Sequence, residues 1–335
     1  MSVTIKDVAK AAGVSVSTVS KVINGWTSIS EETTDRVKKV IQELHYIPNA
    51  RAVSFARKST TNIVFLTSLE KEEAYKNPHM FDIMCGVHNE LSKYHYSVSL
   101  VDTSTESYPG ECVEQTIADG STAGIIIHGS ALNDSIADLI VRNDFPHTVI
   151  GNPGFESKLC WVDTNHKLGG QFAAEHLLSK GYQRIAFIGG KKTDVISQQR
   201  LLGAKQTLAR AGFRMDNSYI LHTDSSLKST REATIKLMQG LPKPEVIICE
   251  NNFIALGVSK TLERLGCKIP EDIAFLTFDR YPYTNIIEPS PTIIDIDVYD
   301  MGVQAASTLH RKLQNPSLLV QSYTTLPIII QGETT

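Results

Sequence analysis

From Asn62 onward, short apolar runs alternate with longer amphipathic stretches, and no other feature restricts the fold of this chain as much. IVFL, SVSLVD, GIIIHG and HTVIGN form one set of strand-like runs; RIAFIGG, YILHT, EVIICE and IAFLTFD form another. Helix patterns such as FDIMCGVHNELSKY, LGGQFAAEHLLSKG, RLLGAKQTLARAG and NFIALGVSKTLERLG lie between them. A strand that is apolar along nearly its whole length belongs in a parallel sheet covered by helices on both faces. Two sets imply an α/β body of two Rossmann-like lobes with a break near Trp161. The late runs PTIIDIDV and LPIIIQGE are placed to return the chain to each lobe.

The first 60 residues have a different texture. Thr4 is positioned to cap a helix whose apolar residues Ile5, Val8, Ala9 and Ala12 share one face, with Asp7 completing a capping box. Gly13 supplies a turn, and Ser15 caps a second helix anchored by Val19, Val22 and Ile23. Ser30 caps a third, with Glu31 and Glu32 in its first turn and Val37, Val40, Ile41 and Leu44 along one side; Pro48 stops it. Residues 1–60 carry a net charge of +4 and the remainder −7, although the whole chain is only −3. Any affinity for a polyanion is therefore expected at the N-terminus.

The segments TIKDVAKAAGVSVSTVSKVING, SEETTDRVKKVIQELHYIPN, HLLSKGYQRIAFIGG, RLLGAKQTLARAGF and IPEDIAFLTFD together resemble the lactose-repressor (LacI/GalR) family of bacterial transcription regulators. The first two are highly diagnostic; the others would also suit extracytoplasmic sugar-binding proteins. The resemblance spans the whole chain. It implies a helix-turn-helix headpiece (1–46), a hinge helix (47–60) and a two-lobed, periplasmic-binding-protein-like effector domain that dimerises. The lobes are expected at 61–161 with 291–320, and at 162–290 with 321–335.

For DNA, the family reads bases with the two residues after the capping serine, here Val16 and Ser17, and with a basic residue at Lys21. That residue is usually Arg, so Lys21 lacks the bidentate fork for guanine. Thr18, Ser20 and Asn24 are expected on phosphate, with Thr4, Ser15 and Ala52 completing the contact set. The plainer alternative for Ser17, Ser20 and Lys21 is a solvated helix face. In the hinge, Phe55 stands where the family carries a Leu that wedges into a minor-groove step, and Val53 where it carries Arg. Phe is a physically sound wedge; packing against the third helix or the partner's hinge is the alternative.

Ligands in open parallel sheets bind beyond the carboxyl ends of strands, so the effector is expected in the cleft between the lobes. Asp279 ends IAFLTFD and Arg200 opens RLLGAKQTL, and the family uses both positions. Such a pair holds vicinal hydroxyls by charge-assisted hydrogen bonds; a surface Arg and a turn-capping Asp are the alternatives. Asn251 occupies a position that often serves the family's ligands, and Asn165, also expected at the effector, is followed by His166 where the family often has Asp-Asn before the helix. His79 and Met80 stand where two aromatics usually follow the proline, which removes a standard stacking platform. Phe81 replaces it or belongs to the core. Ser130 is a further hydroxyl donor or a turn residue. The effector is expected to be small and polar, a sugar or related metabolite.

Other functions lack their signatures. There is no GxGxxG, GxxxxGK[ST] or GxSxG, and the five cysteines and ten histidines show no metal-ligand spacing. No enzyme activity, cofactor or metal is expected. The polar N-terminus is no signal peptide, and no apolar run approaches the ~18 residues of a membrane span, so a cytoplasmic chain is expected. The resemblance implies a nucleoid-associated homodimer, whose two-fold symmetry selects a pseudo-palindromic operator. A solute-binding protein without a transcriptional role is the second reading, and an enzyme with a fused headpiece the third. Phe55→Ala should weaken DNA binding strongly while leaving effector binding intact; normal operator affinity in that variant at fixed salt would reject the wedge.

Overall fold

The computed structural model describes residues 4–23, 29–44, 60–69, 79–280 and 283–335. The chain divides into a small unit, Met1–Asn62 with Asp119–Ala123, and a large one, Ile63–Ala118 with Gly124–Thr335. Among the described residues no helix is long and apolar enough to cross a membrane.

The small unit holds α1 (Ile5–Ala12), α2 (Val16–Ile23) and α3 (Glu31–Glu43). The Thr4 N–H and hydroxyl both donate to Asp7 Oδ2, at 2.8 and 2.7 Å, which fixes the start of α1. Gly13 ends that helix at φ 65°, a left-handed conformation that a Cβ disfavours. Ser15 Oγ accepts from the Thr18 N–H at 3.1 Å and caps α2. The Ser30 hydroxyl instead donates to Thr33 Oγ1, leaving Glu31 and Glu32 to meet the positive end of α3. Val8, Ala9, Ala12, Val19, Val22 and Val37 form the core, with Ile5, Ile23, Val40, Ile41 and Leu44 packed around it. This is the apolar set that helical spacing predicts.

The large unit contains two six-stranded sheets. The first runs β11 (Ser322–Thr325), β5 (Trp161–Thr164), β4 (His147–Ile150), β3 (Thr122–His128), β1 (Asn62–Thr67) and β2 (Ser97–Asp102). The second runs β12 (Ile328–Ile330), β10 (Thr292–Asp295), β9 (Ala274–Phe278), β8 (Val246–Cys249), β6 (Ile185–Gly189) and β7 (Ile220–His222). The pairs β3–β4, β4–β5, β5–β11, β6–β7, β6–β8, β8–β9 and β9–β10 are parallel, and β10–β12 is antiparallel. The helices that join the strands are α4 (His79–Ser92), α5 (Glu111–Asp119), α6 (Asp134–Arg142), α7 (His166–Ser179), α8 (Val195–Arg210), α9 (Leu227–Gln239), α10 (Asn252–Arg264) and α11 (Val298–Gln314). All five residues of β6 and of β9 are buried, as continuous apolarity requires. SVSLVD and the III run of β12 depart from this: both are edge strands, with Leu100, Ile328 and Ile329 exposed.

The expected lobe boundaries need correction. Trp161–Thr164 lies in the first sheet, so the chain leaves that lobe after Thr164. Thr292–Asp295, expected in the first lobe, pairs with β9 in the second, with Thr292 opposite Leu276. Ser322–Thr325, expected in the second, pairs with β5 in the first. Apolarity shows that TIID is buried but not which sheet receives it, and SYTT is too polar to read as a strand at all. The chain therefore crosses between the lobes after β5, after β10 and after β11.

Glycines let helices approach backbone to backbone in both lobes. A Cβ on Gly170 of α7 would overlap the Arg200 carbonyl of α8, and one on Gly203 would overlap the Lys167 carbonyl. Gly86 of α4 and Gly302 of α11 stand in the same relation to Tyr299 and Ile83. The α7–α8 contact matters most, because it sets how deeply Arg200 enters the lobe. Gly170→Ala should lower stability in urea by about 1–3 kcal/mol, the usual cost of overpacking. An unchanged midpoint would show that the helices separate at no cost.

Candidate functional site

The carboxyl ends of β8 and β9 converge on one guanidinium. Arg200, on the second turn of α8 and 2% exposed, sends Nη2 to Asp279 Oδ1 at 3.2 Å and Nη1 to Asp279 Oδ2 at 3.4 Å. Nη1 also donates to the Glu250 backbone carbonyl just after β8. The guanidinium carbon lies 4.2 Å from the centroid of the Phe278 ring, which covers its apolar face. Asp279 has φ 69°, a left-handed turn directly after β9, while its own N–H still donates to Ile294 at 3.0 Å. Aspartate tolerates that backbone better than most residues. The turn points its carboxylate at α8.

Burial pushes the Asp279 carboxyl up, but Arg200 and then His79 outweigh it and hold it well below the usual carboxylate range. Glu250 goes the other way. Burial raises it to about 7 against the pull of Arg200, with Asp194 and Asp279 adding to the rise. One guanidinium cannot neutralise both buried carboxylates.

The first lobe reaches this site through His79, the first residue of α4, whose Nε2 lies 3.7 Å from Asp279 Oδ2. Beside this contact is a cavity of about 290 Å³ lined by His79, Asp82, Asp279, Arg280, Asp295 and Tyr299, among others. Burial raises the Asp295 carboxyl, and Asp279 and Asp297 raise it further. Asp279 lines this cavity and offers it a carboxylate acceptor, with Arg200 buried behind it.

The remaining expected effector residues separate into groups. Met80 Sδ accepts from the Thr67 hydroxyl at 3.2 Å; Ser130 Oγ lies 3.3 Å from Thr67 Oγ1 and 2.8 Å from His128 Nδ1. They form a polar cluster at the ends of β1 and β3 in the first lobe. Asn165 is the N-cap of α7, accepting from Leu168 at 2.9 Å, and lines a separate cavity of about 170 Å³ with Lys167, Gln171 and Arg210. Asn251 is likewise the N-cap of α10, accepting from Ile254 at 2.8 Å and donating through Nδ2 to Glu250 at 3.3 Å. Phe81 is 69% exposed and belongs to no core. Sequence reasoning overlooked Glu250, whose signal is the one that marks Asp279: a carboxylate directly after a buried strand.

In the small unit Val16, Ser17 and Lys21 are exposed while Val19 and Val22 are buried, so α2 presents the expected residues to solvent. Ser15 Oγ also lies 2.7 Å from Ser17 Oγ and 2.8 Å from Thr18 Oγ1. Thr18 and Ser20 are half-buried and Thr4 is exposed. Asn24, Ala52, Val53 and Phe55 lie outside the described residues.

Residues 4–49 match the model of the lacI family of bacterial regulatory proteins, and residues 174–335 match that of a periplasmic binding protein-like domain. The HTH-type transcriptional regulator MalR of Streptococcus pneumoniae is 30% identical over 311 residues, covering 92% of each chain. The ribose operon repressor of Escherichia coli is 28% identical over 98% of each chain. Among solved structures, the lac repressor dimer bound to operator and an anti-inducer shares the fold, with a TM-score of 0.83 at 23% identity over 100% of this chain and 99% of that one. A LacI-type putative regulator from Bacillus cereus subsp. cytotoxis gives 0.75 at 26% identity, over 83% and 99%.

Arg200→Met should cost about 3–5 kcal/mol at neutral pH, because it leaves two buried carboxylates without a cation. Asp279 has a native pKa below its unfolded value, so its contribution is complete above about pH 4 and is lost as pH falls below that. Asp279→Asn should therefore flatten the stability profile on the acid side. An equally steep acid limb in the variant would contradict the ion pair.

Proposed function

The chain belongs to the lacI family of bacterial regulatory proteins, and from that premise we propose that a small polar effector held by Arg200 and Asp279 controls its grip on an operator. The protein is a sequence-specific DNA-binding transcription regulator, a repressor acting as a homodimer, and not an enzyme. Two-fold symmetry selects a pseudo-palindromic operator, which puts the protein on the nucleoid. Val16, Ser17 and Lys21 read bases and Thr18, Ser20 and Asn24 meet phosphate. Exposure of the first three opposite the buried Val19/Val22 side supports this assignment. Residues 1–46 are the head and 47–60 the hinge with its Phe55 wedge.

The observation that carries the effector reading is the buried Arg200–Asp279 pair at the carboxyl ends of the second sheet. A hydroxyl donates to Asp279 and a neighbouring hydroxyl oxygen accepts from Arg200, which selects a sugar or related metabolite. The ribose operon repressor and a cellobiose complex of the regulator CelR stand among the similar proteins and agree with that class. His79 touches the same carboxylate from the first lobe, so a ligand at Asp279 changes what joins the lobes. Lobe spacing then determines whether the hinges of a dimer sit together over the minor groove. Ordering about 8 hinge residues costs on the order of 8–16 kcal/mol of backbone entropy, so small changes in their spacing decide the outcome.

A thermal-shift panel of monosaccharides, disaccharides, sugar phosphates and nucleosides tests the reading. A ligand at about 100 times its Kd adds about 2.7 kcal/mol of stability. At least one compound should raise the melting temperature of the wild type and leave Arg200→Met/Asp279→Asn unmoved. A shift that survives in the double variant would reject this site.

A further inference from the structure

We propose that Glu250 is a positioning residue of the effector site: its carboxyl competes with Asp279 for the Arg200 guanidinium, so its proton sets how that pair is presented to the ligand. The inference rests on the Arg200–Asp279 reading above and extends it to regulation by pH.

Glu250 follows β8 and is 4% exposed. Its Oε2 accepts from the Gly190 N–H at 3.0 Å and from Asn251 Nδ2 at 3.3 Å, so that oxygen is committed. Its Oε1 faces Arg200 Nη1 at 3.9 Å. Any proton on Glu250 therefore belongs on Oε1, the oxygen turned toward the guanidinium. Asp194, the N-cap of α8, closes the other side. A Cβ placed on Gly190 would lie 3.2 Å from Glu250 Oε2 and 3.3 Å from Asp194 Oδ2.

The charged and titratable groups around Glu250 come from every element packed there. Arg200 and Asp194 belong to α8 and its cap, and Asp279 to the end of β9. His222, at the end of β7, has Nδ1 3.1 Å from the Gly190 carbonyl, and His79 enters from α4 through Asp279. Two carboxylates, Asp279 and Glu250, share one buried guanidinium, and Asp194 acts on Glu250 alone. Arg200 Nε is buried without a hydrogen-bond partner, so the guanidinium is fixed only at its Nη ends, which face Asp279 and, through Nη1, the Glu250 carbonyl and carboxylate. When Glu250 is ionised it draws Nη1 toward itself and loosens the pairing with Asp279. When it is protonated the guanidinium returns to Asp279, the geometry a diol-bearing ligand needs. Burial places this titration near neutral pH. Ligand binding then takes up a proton, and affinity falls roughly tenfold per pH unit above the midpoint.

The test follows the ¹⁵N Arg200 Nε–H resonance of the full chain, assigned by its loss in Arg200→Lys, from about pH 5.5 to about pH 8.5. It should titrate with a midpoint near 7 in the wild type. It should become flat in Glu250→Gln, whose amide stands where the protonated acid would. Asp194→Asn should keep the titration and lower its midpoint, because Asp194 raises Glu250. A flat wild-type resonance, or an unaltered titration in Glu250→Gln, overturns the proposal. Thermal shifts by the same panel of sugars should be larger at about pH 6 than at about pH 8 in the wild type and equal in Glu250→Gln; equal wild-type shifts also overturn it. A panel in which no compound shifts the wild type rejects the effector reading alone, and the resonance still decides the role of Glu250.

Discussion

A single buried guanidinium organises the carboxyl ends of the second sheet. Arg200 ties α8 to the residue after β9 through Asp279 and to the residue after β8 through the Glu250 carbonyl. The cost of burying that cation is offset only while Asp279 is ionised and close. The same partners make the site sensitive, because they outnumber the charge that holds them. A ligand that satisfies Asp279 and Arg200 together replaces interactions the protein already makes, and a buried polar network of this kind changes state as a unit.

The fold delivers Arg200 to that place through shape rather than charge. Gly170 and Gly203 let α7 and α8 touch along their backbones, which brings the second turn of α8 over Phe278. The left-handed turn at Asp279 brings the carboxylate back across the end of its own strand. Three crossings, after β5, β10 and β11, join the lobes, and His79 of the first touches Asp279 at the end of β9 in the second. In the proposed function, effector chemistry and lobe spacing thus meet in one residue.

Much of this is legible in the sequence, for definable reasons. Apolar periodicity locates the small unit's core, because Val8, Val19 and Val37 follow one face of each helix. Arg200 and Asp279 are readable because a charged residue at the end of a fully buried strand, or on the first turns of a helix that meets it, has few places to go. Glu250 carries the same mark after VIIC. It escapes notice beside Asn251, whose side chain in fact caps α10. Asn165 likewise caps its helix, α7, as an asparagine before a helix does. The partners of TIID and SYTT depend on register across long connections, which local pattern does not encode.

The most direct measurement is operator affinity of the full-length chain at fixed salt, with and without a sugar that raises its melting temperature, in the wild type and in Arg200→Lys. Lysine keeps the charge but loses the planar fork that joins Asp279 to the Glu250 carbonyl. The account predicts that the sugar changes operator affinity at least about tenfold in the wild type, a coupling of about 1.4 kcal/mol, and leaves Arg200→Lys unmoved while its sugar-free operator binding stays normal. A full sugar response in Arg200→Lys would contradict it.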